Sequence, residues 1–221
     1  MIGVEKYISN LKEALLACFG SRLVYVGLQG SYLRGEATEN SDIDIVAVVD
    51  KLAVSDLDKY RCIIQTMGDF DKSCGFICGK EDLANWNPLE IHHLVNGTKD
   101  YYGALKDLVP NYTEGDIRNF IKLSLNNMYH QICHRYIHSV DNKNLSKLAG
   151  AYKGVFFILQ NLYYLNTGMY IATKSELLPL LDVKNRVVLK HGIELSNGVT
   201  HDFDESFFLL FTWCQETLKT L

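Results

Sequence analysis

Apolar and polar positions follow two rhythms along this chain, and the change of rhythm divides it. Over roughly 4–18, in "VEKYISNLKEALLAC", apolar residues recur at three- and four-residue spacing, which predicts an amphipathic helix. Runs rich in β-branched and aromatic residues predict strands at 22–28 ("RLVYVGL") and 43–49, the second ending in the more apolar "IVAVV". A helix at about 55–66 and a short strand near 73–78 follow. The stretch "KEDLANWNPLEIHHLVNGTKDYYGALKDL" reads as short helices, with Pro88 suited to a helical first turn.

Beyond Pro110 the strand rhythm is lost. "TEGDIRNFIKLSLNNMYHQICHRYIHSV" opens with Thr113 as N-cap and Asp116 three residues on, a variant of the capping box. Its apolar positions Ile117, Ile121, Leu125, Met128, Ile132 and Tyr136 keep helical spacing. A second long helix is predicted over 145–166, stopping near Gly168, and others over 174–182, 184–193 and 203–220. The expectation is an α+β chain, with an α/β domain over 1–110 and an all-helical bundle over 111–221.

Composition narrows the function classes. The 221 residues suffice for a sizeable core, and 48% apolar with 22% charged residues is an ordinary globular balance. A net charge of −4 offers no general attraction to nucleic acid or anionic membrane. No apolar run approaches the ~20 residues that span a bilayer. The N-terminal pattern carries Glu5 and Lys12, so it reads as a helix rather than a signal peptide. Six scattered cysteines form no CxxC pair and mostly lie in apolar patterns; buried thiols in a reducing cytoplasm are expected.

The chemistry concentrates in "GSYLRGEATENSDID", residues 30–44, between the first two strands. Residues two apart in a strand share a face, so Asp42 and Asp44 project together while Ile43 turns to the core. Two such carboxylates repel each other unless a cation lies between them, and magnesium suits oxygen donors of this kind. Gly30 and Ser31 supply a turn whose N–H groups and hydroxyl can approach a phosphate. Arg34 could add a charge-assisted contact, and Ser41 is placed to steady the first aspartate or the turn. The stretch lacks the GxxxxGK[ST] of a P-loop and the GxGxxG of a dinucleotide fold.

This string resembles the signature of the DNA polymerase beta-like nucleotidyltransferase superfamily, a Gly-Ser followed about ten residues later by Asp-x-Asp. Within it the likeness is to the bacterial aminoglycoside nucleotidyltransferases and the minimal nucleotidyltransferases. The resemblance implies a short mixed sheet carrying the motif and a helical bundle after it. It also implies Mg²⁺ on Asp42 and Asp44, and nucleotide phosphates on Gly30 and Ser31. The family places a third carboxylate on a later strand, but "DKSCGFICG" holds no acid within its body. Asp71 at its entrance is favoured for that role, with Asp69, Glu81, Asp82, Glu90, an acid of the helical half, or no third acid at all as alternatives.

Outside the motif, Lys153 stands out as the one charged side chain between Leu148 and Thr173. Such a lysine snorkels to water, pairs with an acid or meets an anionic ligand. The resemblance implies that a bundle lysine reaches the triphosphate. His130, His134 and His138 form a ridge at four-residue spacing; it lies opposite the apolar stripe, so a solvated face is favoured over a metal site. His92 and His93 belong to a short amphipathic helix.

The expected activity is Mg²⁺-dependent transfer of a nucleoside monophosphate, AMP from ATP or its counterpart from another NTP, to a hydroxyl of a small molecule. The acceptor, an aminoglycoside or another small metabolite, is expected between the two halves. The alternatives are a protein-modifying, antitoxin-like enzyme and a nucleotide-binding protein without turnover. The acidic balance and lack of a basic run disfavour a nucleic-acid partner, and a homodimer stays open.

Overall fold

The computed structural model describes residues 3–138 and 145–221, which divide into two compact units, Met1–Tyr112 and Thr113–Leu221. The first unit runs α1 (Val4–Phe19), β1 (Leu23–Leu28), α2 (Gly30–Leu33), β2 (Ile43–Val49), α3 (Val54–Thr66), β3 (Ser73–Gly79), α4 (Lys80–Ala84), α5 (Pro88–Asn96) and β4 (Lys99–Tyr102). Its four strands lie in the order β3-β2-β1-β4. β1 pairs antiparallel with both β2 and β4, whereas β2 and β3 are parallel. A parallel pair needs a crossover, and α3 supplies it. The sheet is therefore mixed.

β2 is buried along nearly its whole length because both faces of the sheet are covered. Ile43, Ile45, Ala47 and Val49 share one core with Ile8, Leu11 and Leu15 of α1. Val46 and Val48 share the other with Tyr25, Leu83 and Ile91. Strand alternation then assigns Asp44 to the same face as Val46 and Val48.

Two elements depart from the sequence reading. The stretch expected to hold only short helices contains β4, whose "KDYY" is an edge strand of four residues. Its brevity hides the period-two pattern, although its two tyrosines favour a strand. The Gly-Ser turn is the short helix α2 rather than a loop.

The start of α3 is fixed by a buried carboxylate. Ala53 at the N-cap has no capping side chain, so Asp56 three residues on accepts from the Ala53 N–H at 3.1 Å. Asp56 is 1% exposed and also accepts from Arg22, just before β1, at 2.8 and 3.1 Å. Arg22 extends to the Lys51 carbonyl as well, which ties the end of β2 to the crossover.

The second unit has helices and no strand among its described residues: α6 (Glu114–His138), α7 (Leu145–Thr167), α8 (Lys174–Leu177), α9 (Val183–Ser196) and α10 (Phe203–Thr220). Ser139 and Val140, at the end of the segment read as the first bundle helix, lie outside the described residues. Thr113 and Asp116 make the reciprocal cap read from the sequence, at 2.8 and 3.3 Å. α6 buries Ile117, Ile121, Leu125, Met128 and Ile132. Gly154 allows α7 to approach α6, since a Cβ there would lie 2.8 Å from Met128 Cε. Trp213 of α10 is buried and donates to Asn185 Oδ1 of α9 at 2.8 Å.

Arg22, first of all, holds the Asp56 carboxyl well below the usual carboxylate range. A carboxyl depressed in the native state stabilises it fully above the unfolded pKa, and that contribution is lost as pH falls through the native value. Asp56→Asn is therefore expected to lower the melting temperature at pH 7. Melts at decreasing pH should show the gap to the parent narrowing only below about pH 4, the unfolded carboxyl value. A gap that does not change with pH would show that charge is not what Asp56 contributes.

Candidate active site

The N-terminal edge of β2 gathers the chain's motif residues. β1 ends at Leu28, and Gln29 N–H donates to the Asp44 carbonyl at 2.8 Å, locking the turn to the start of β2. α2 begins at once with Gly30 and Ser31, whose N–H groups open a helix and have no intrahelical acceptor. The loop returns through Ser41, whose hydroxyl accepts from Thr38 N–H at 2.8 Å, so this serine steadies the turn. Arg34 lies 3.0 Å from Glu36, with both side chains about one-fifth exposed.

Gly30 and Asp44 are built against each other. Gly30 has φ +73°, a conformation that disfavours any side chain, and a Cβ there would overlap the Asp44 carboxylate. The missing side chain lets this carboxylate lie against the α2 backbone. Asp42 is exposed and Asp44 half-buried. Burial chiefly, with the Asp42 charge added, raises the Asp44 carboxyl above the usual carboxylate range, against the opposing effects of the Cys74 thiol and Arg34.

The parallel register pairs Asp44 with Cys74 of β3. The thiol hydrogen-bonds the Asp44 carboxylate; desolvation of its sulfur and the nearby carboxylates raise its pKa, so it is protonated at neutral pH. The residue that β3 brings beside the pair is thus a thiol donor, with no acid at that position. Asp71 is exposed in the 3-10 turn Phe70–Lys72, two residues before the strand begins. That turn is fastened at the same end of the sheet as Asp42: Lys72 Nζ donates to the Glu39 carbonyl at 2.8 Å, and Ser73 meets Tyr7 of α1 at 2.6 Å.

One neighbour of the site, Cys74, escaped the sequence reading, because only the β2–β3 register reveals its partner. His93 lies on α5, the short helix read from the sequence; burial first, then the charge of Arg34, pushes its pKa down to about 4, so it is neutral at pH 7. Lys153 belongs to the second unit, exposed on α7, with no ion pair among the described residues. His130, His134 and His138 are exposed along α6, as expected of a solvated face. The cysteines do not follow the expectation of buried thiols. Cys18, Cys62 and Cys74 are exposed, and only Cys78 and Cys214 are fully buried.

The donor set at the start of β2 fits a hard divalent cation. Asp42 and Asp44 offer carboxylate oxygens; burial first, and the Asp42 charge in addition, disfavour an ionised Asp44, and a bound cation would relieve both.

Residues 6–74, which end on Cys74, match the family described as Nucleotidyltransferase domain. A Methanocaldococcus jannaschii protein, provisionally named a protein adenylyltransferase, is 34% identical over 70 residues. That match takes in 30% of this chain and 48% of the relative, so the chain spans about half the relative's length. Among solved structures, the spectinomycin adenyltransferase AAD(9) of Enterococcus faecialis, crystallised with ATP and spectinomycin, superposes with a TM-score of 0.59. It is 15% identical, and the match covers 97% of this chain and 99% of that one, which shows a shared fold. A toxin–antitoxin structure with AMP-PNP overlaps at a TM-score of only 0.32, with 22% identity over 58% of this chain and 92% of that one.

The stability cost of the Asp44 carboxylate can be measured. A carboxyl whose native pKa is raised costs stability where it is ionised, and the cost is relieved as pH falls through that native value. Asp44→Asn should therefore melt above the parent at pH 7, with the difference shrinking as the pH approaches about 4. A variant less stable than the parent at pH 7 would contradict the desolvated-carboxylate account. Gly30→Ala should lose about 1–3 kcal/mol of stability through its positive φ, beside displacing the Asp44 carboxylate. Denaturant unfolding reads this directly, and an unaffected midpoint would refute it.

Proposed function

We propose, from a nucleotidyltransferase domain at residues 6–74, that this protein transfers AMP from ATP to a hydroxyl of a small-molecule acceptor. The observation that carries the proposal is the Asp44 carboxylate held against the glycine that opens α2, with Asp42 beside it. In that arrangement, helix-opening N–H groups and paired carboxylates serve one triphosphate. The Gly30 and Ser31 N–H groups, the Ser31 hydroxyl and Arg34 would bind phosphate oxygens.

Asp42 and Asp44 would hold Mg²⁺, which when bound supplies charge neutralisation at the triphosphate. The acceptor oxygen forms a bond to the α-phosphorus while the bond from that phosphorus to the bridging oxygen breaks. Pyrophosphate carries away the electron pair, and the hydroxyl proton passes to a base. Asp71, exposed at the entrance of β3, is the candidate base. Cys74 would keep Asp44 oriented by donating its thiol hydrogen, and neutral His93 would add no charge of its own beside Arg34. Orientation of the triphosphate carries much of the rate in such transfers.

Adenine as the base is supported by the names of both relatives. A protein acceptor is the second reading, favoured by one observation: the relative at 34% identity is named for adenylylation of proteins.

The test is incubation with ATP and Mg²⁺ against a library of hydroxyl-bearing compounds and a panel of proteins, read by mass spectrometry. A small molecule carrying one added AMP, with stoichiometric pyrophosphate, is the expected product. Asp42→Asn and Asp44→Asn should each lower its formation at least about a hundredfold, as loss of a transition-state electrostatic partner does. AMP found only on protein would move the assignment to the second reading. No adduct, together with unaltered ATP binding in both variants, would reduce the motif to a structural turn.

A further inference from the structure

The second unit carries a ligand set unrelated to phosphate chemistry. On α9, His191 and Glu194 stand three residues apart and so share one helix face. The chain leaves the helix at Asn197 and turns back through Gly198, at φ +80°, held by Val199 N–H on the Glu194 carbonyl at 3.0 Å. That turn returns His201 over the same face, with its ring centroid 4.1 Å from that of His191. One ligand atom from each of His191, Glu194 and His201 lies within 4.8 Å of the other two.

Three further details distinguish this group from a chance ion pair. His201 Nε2 lies 3.2 Å from Glu194 Oε2, but it is buried and its orientation forms no hydrogen bond. Two donors about 2.0–2.1 Å from one ion are themselves about 3 Å apart, so this separation already suits shared coordination. The other Glu194 oxygen faces Lys190 at 3.6 Å, which leaves Oε2 for the interior of the group. His191 is oriented from behind. Ser206 gives its single hydroxyl hydrogen to the Asp202 carbonyl at 2.7 Å and so accepts from His191 Nε2 at 2.9 Å. That hydrogen bond sets the tautomer and leaves the Nδ1 lone pair available, the usual way a ligating histidine is held by its neighbours.

We propose that His191, Glu194 and His201 bind a zinc-class divalent cation that pins the turn between α9 and α10. Two imidazoles and one carboxylate suit zinc and its neighbours in the first transition row, whereas magnesium prefers oxygen donors alone. Each of the three residues is partly exposed, and a water molecule would complete four-coordination. The site shares no residue with the carboxylate pair at β2, and it does not depend on the transferase reading.

Calorimetric titration of Zn²⁺ into the chelator-stripped, thiol-reduced full chain tests this, with Mg²⁺ in excess to occupy oxygen-donor sites. One equivalent should bind and raise the melting temperature. Glu194→Gln and His201→Ala should each weaken that equivalent at least about tenfold, while His134→Ala on the α6 ridge should leave it intact. Co²⁺ in place of zinc should give visible absorption that both site variants lose. Melts in metal-free buffer establish that the variants fold, and His201→Gln replaces any that does not. No zinc binding, or zinc binding equally strong in Glu194→Gln and His201→Ala, would overturn the proposal, as would loss only in His134→Ala.

Discussion

A half-buried carboxylate beside a second negative charge is the constraint on which the first unit turns. Asp44 stands at the start of a strand buried on both faces, close enough to the α2 backbone that only glycine fits at position 30. Its burial favours the neutral acid, and Asp42 favours it further. A protein built only for stability has no reason to keep this pair. On the proposed function the pair has one: a cation bound there would reverse the sign of the local electrostatics.

The surrounding fold reads as support for that point. The antiparallel pairing of β1 with β2 and the Gln29–Asp44 backbone bond bring α2 onto the carboxylate. The parallel pairing of β3 brings Cys74 to its other side, and that pairing depends on the α3 crossover. The crossover in turn is fixed by Arg22 and Asp56, an ion pair between a partly exposed guanidinium and a buried carboxylate. The positions of Cys74 and Asp71 therefore depend on an interaction at the opposite end of β2.

Much of this was legible in the sequence, for definable reasons. The strand–Gly-Ser–loop–Asp-x-Asp–strand string is local, so its residue types and period-two alternation suffice to place Asp42 and Asp44 at a strand start. The long helices α6, α7 and α10 each repeat their apolar spacing over many turns. What could not be read was non-local or short. β4 has only four residues and shows its identity through pairing with β1. Cys74 acquires meaning only from the register with Asp44, and His93 only from packing that sets it beside Arg34. Asp56 looks like an ordinary first-turn acid until Arg22 folds onto it. His201 lies beyond the end of α9, so the three-residue group appears only once the turn at Gly198 is in place.

The central claim is that the Asp44 carboxylate is held in a state that a cation and nucleotide complete. Carbon-13 NMR titration of the Asp44 side chain, alone and then with Mg²⁺ and a non-hydrolysable ATP analogue, measures this most directly. The account predicts a carboxyl titrating above the usual aspartate range in the free protein and shifting well below it when cation and nucleotide are bound. An Asp44 that titrates like a solvent-exposed carboxyl, or whose titration is unmoved by Mg²⁺ and nucleotide, would contradict it.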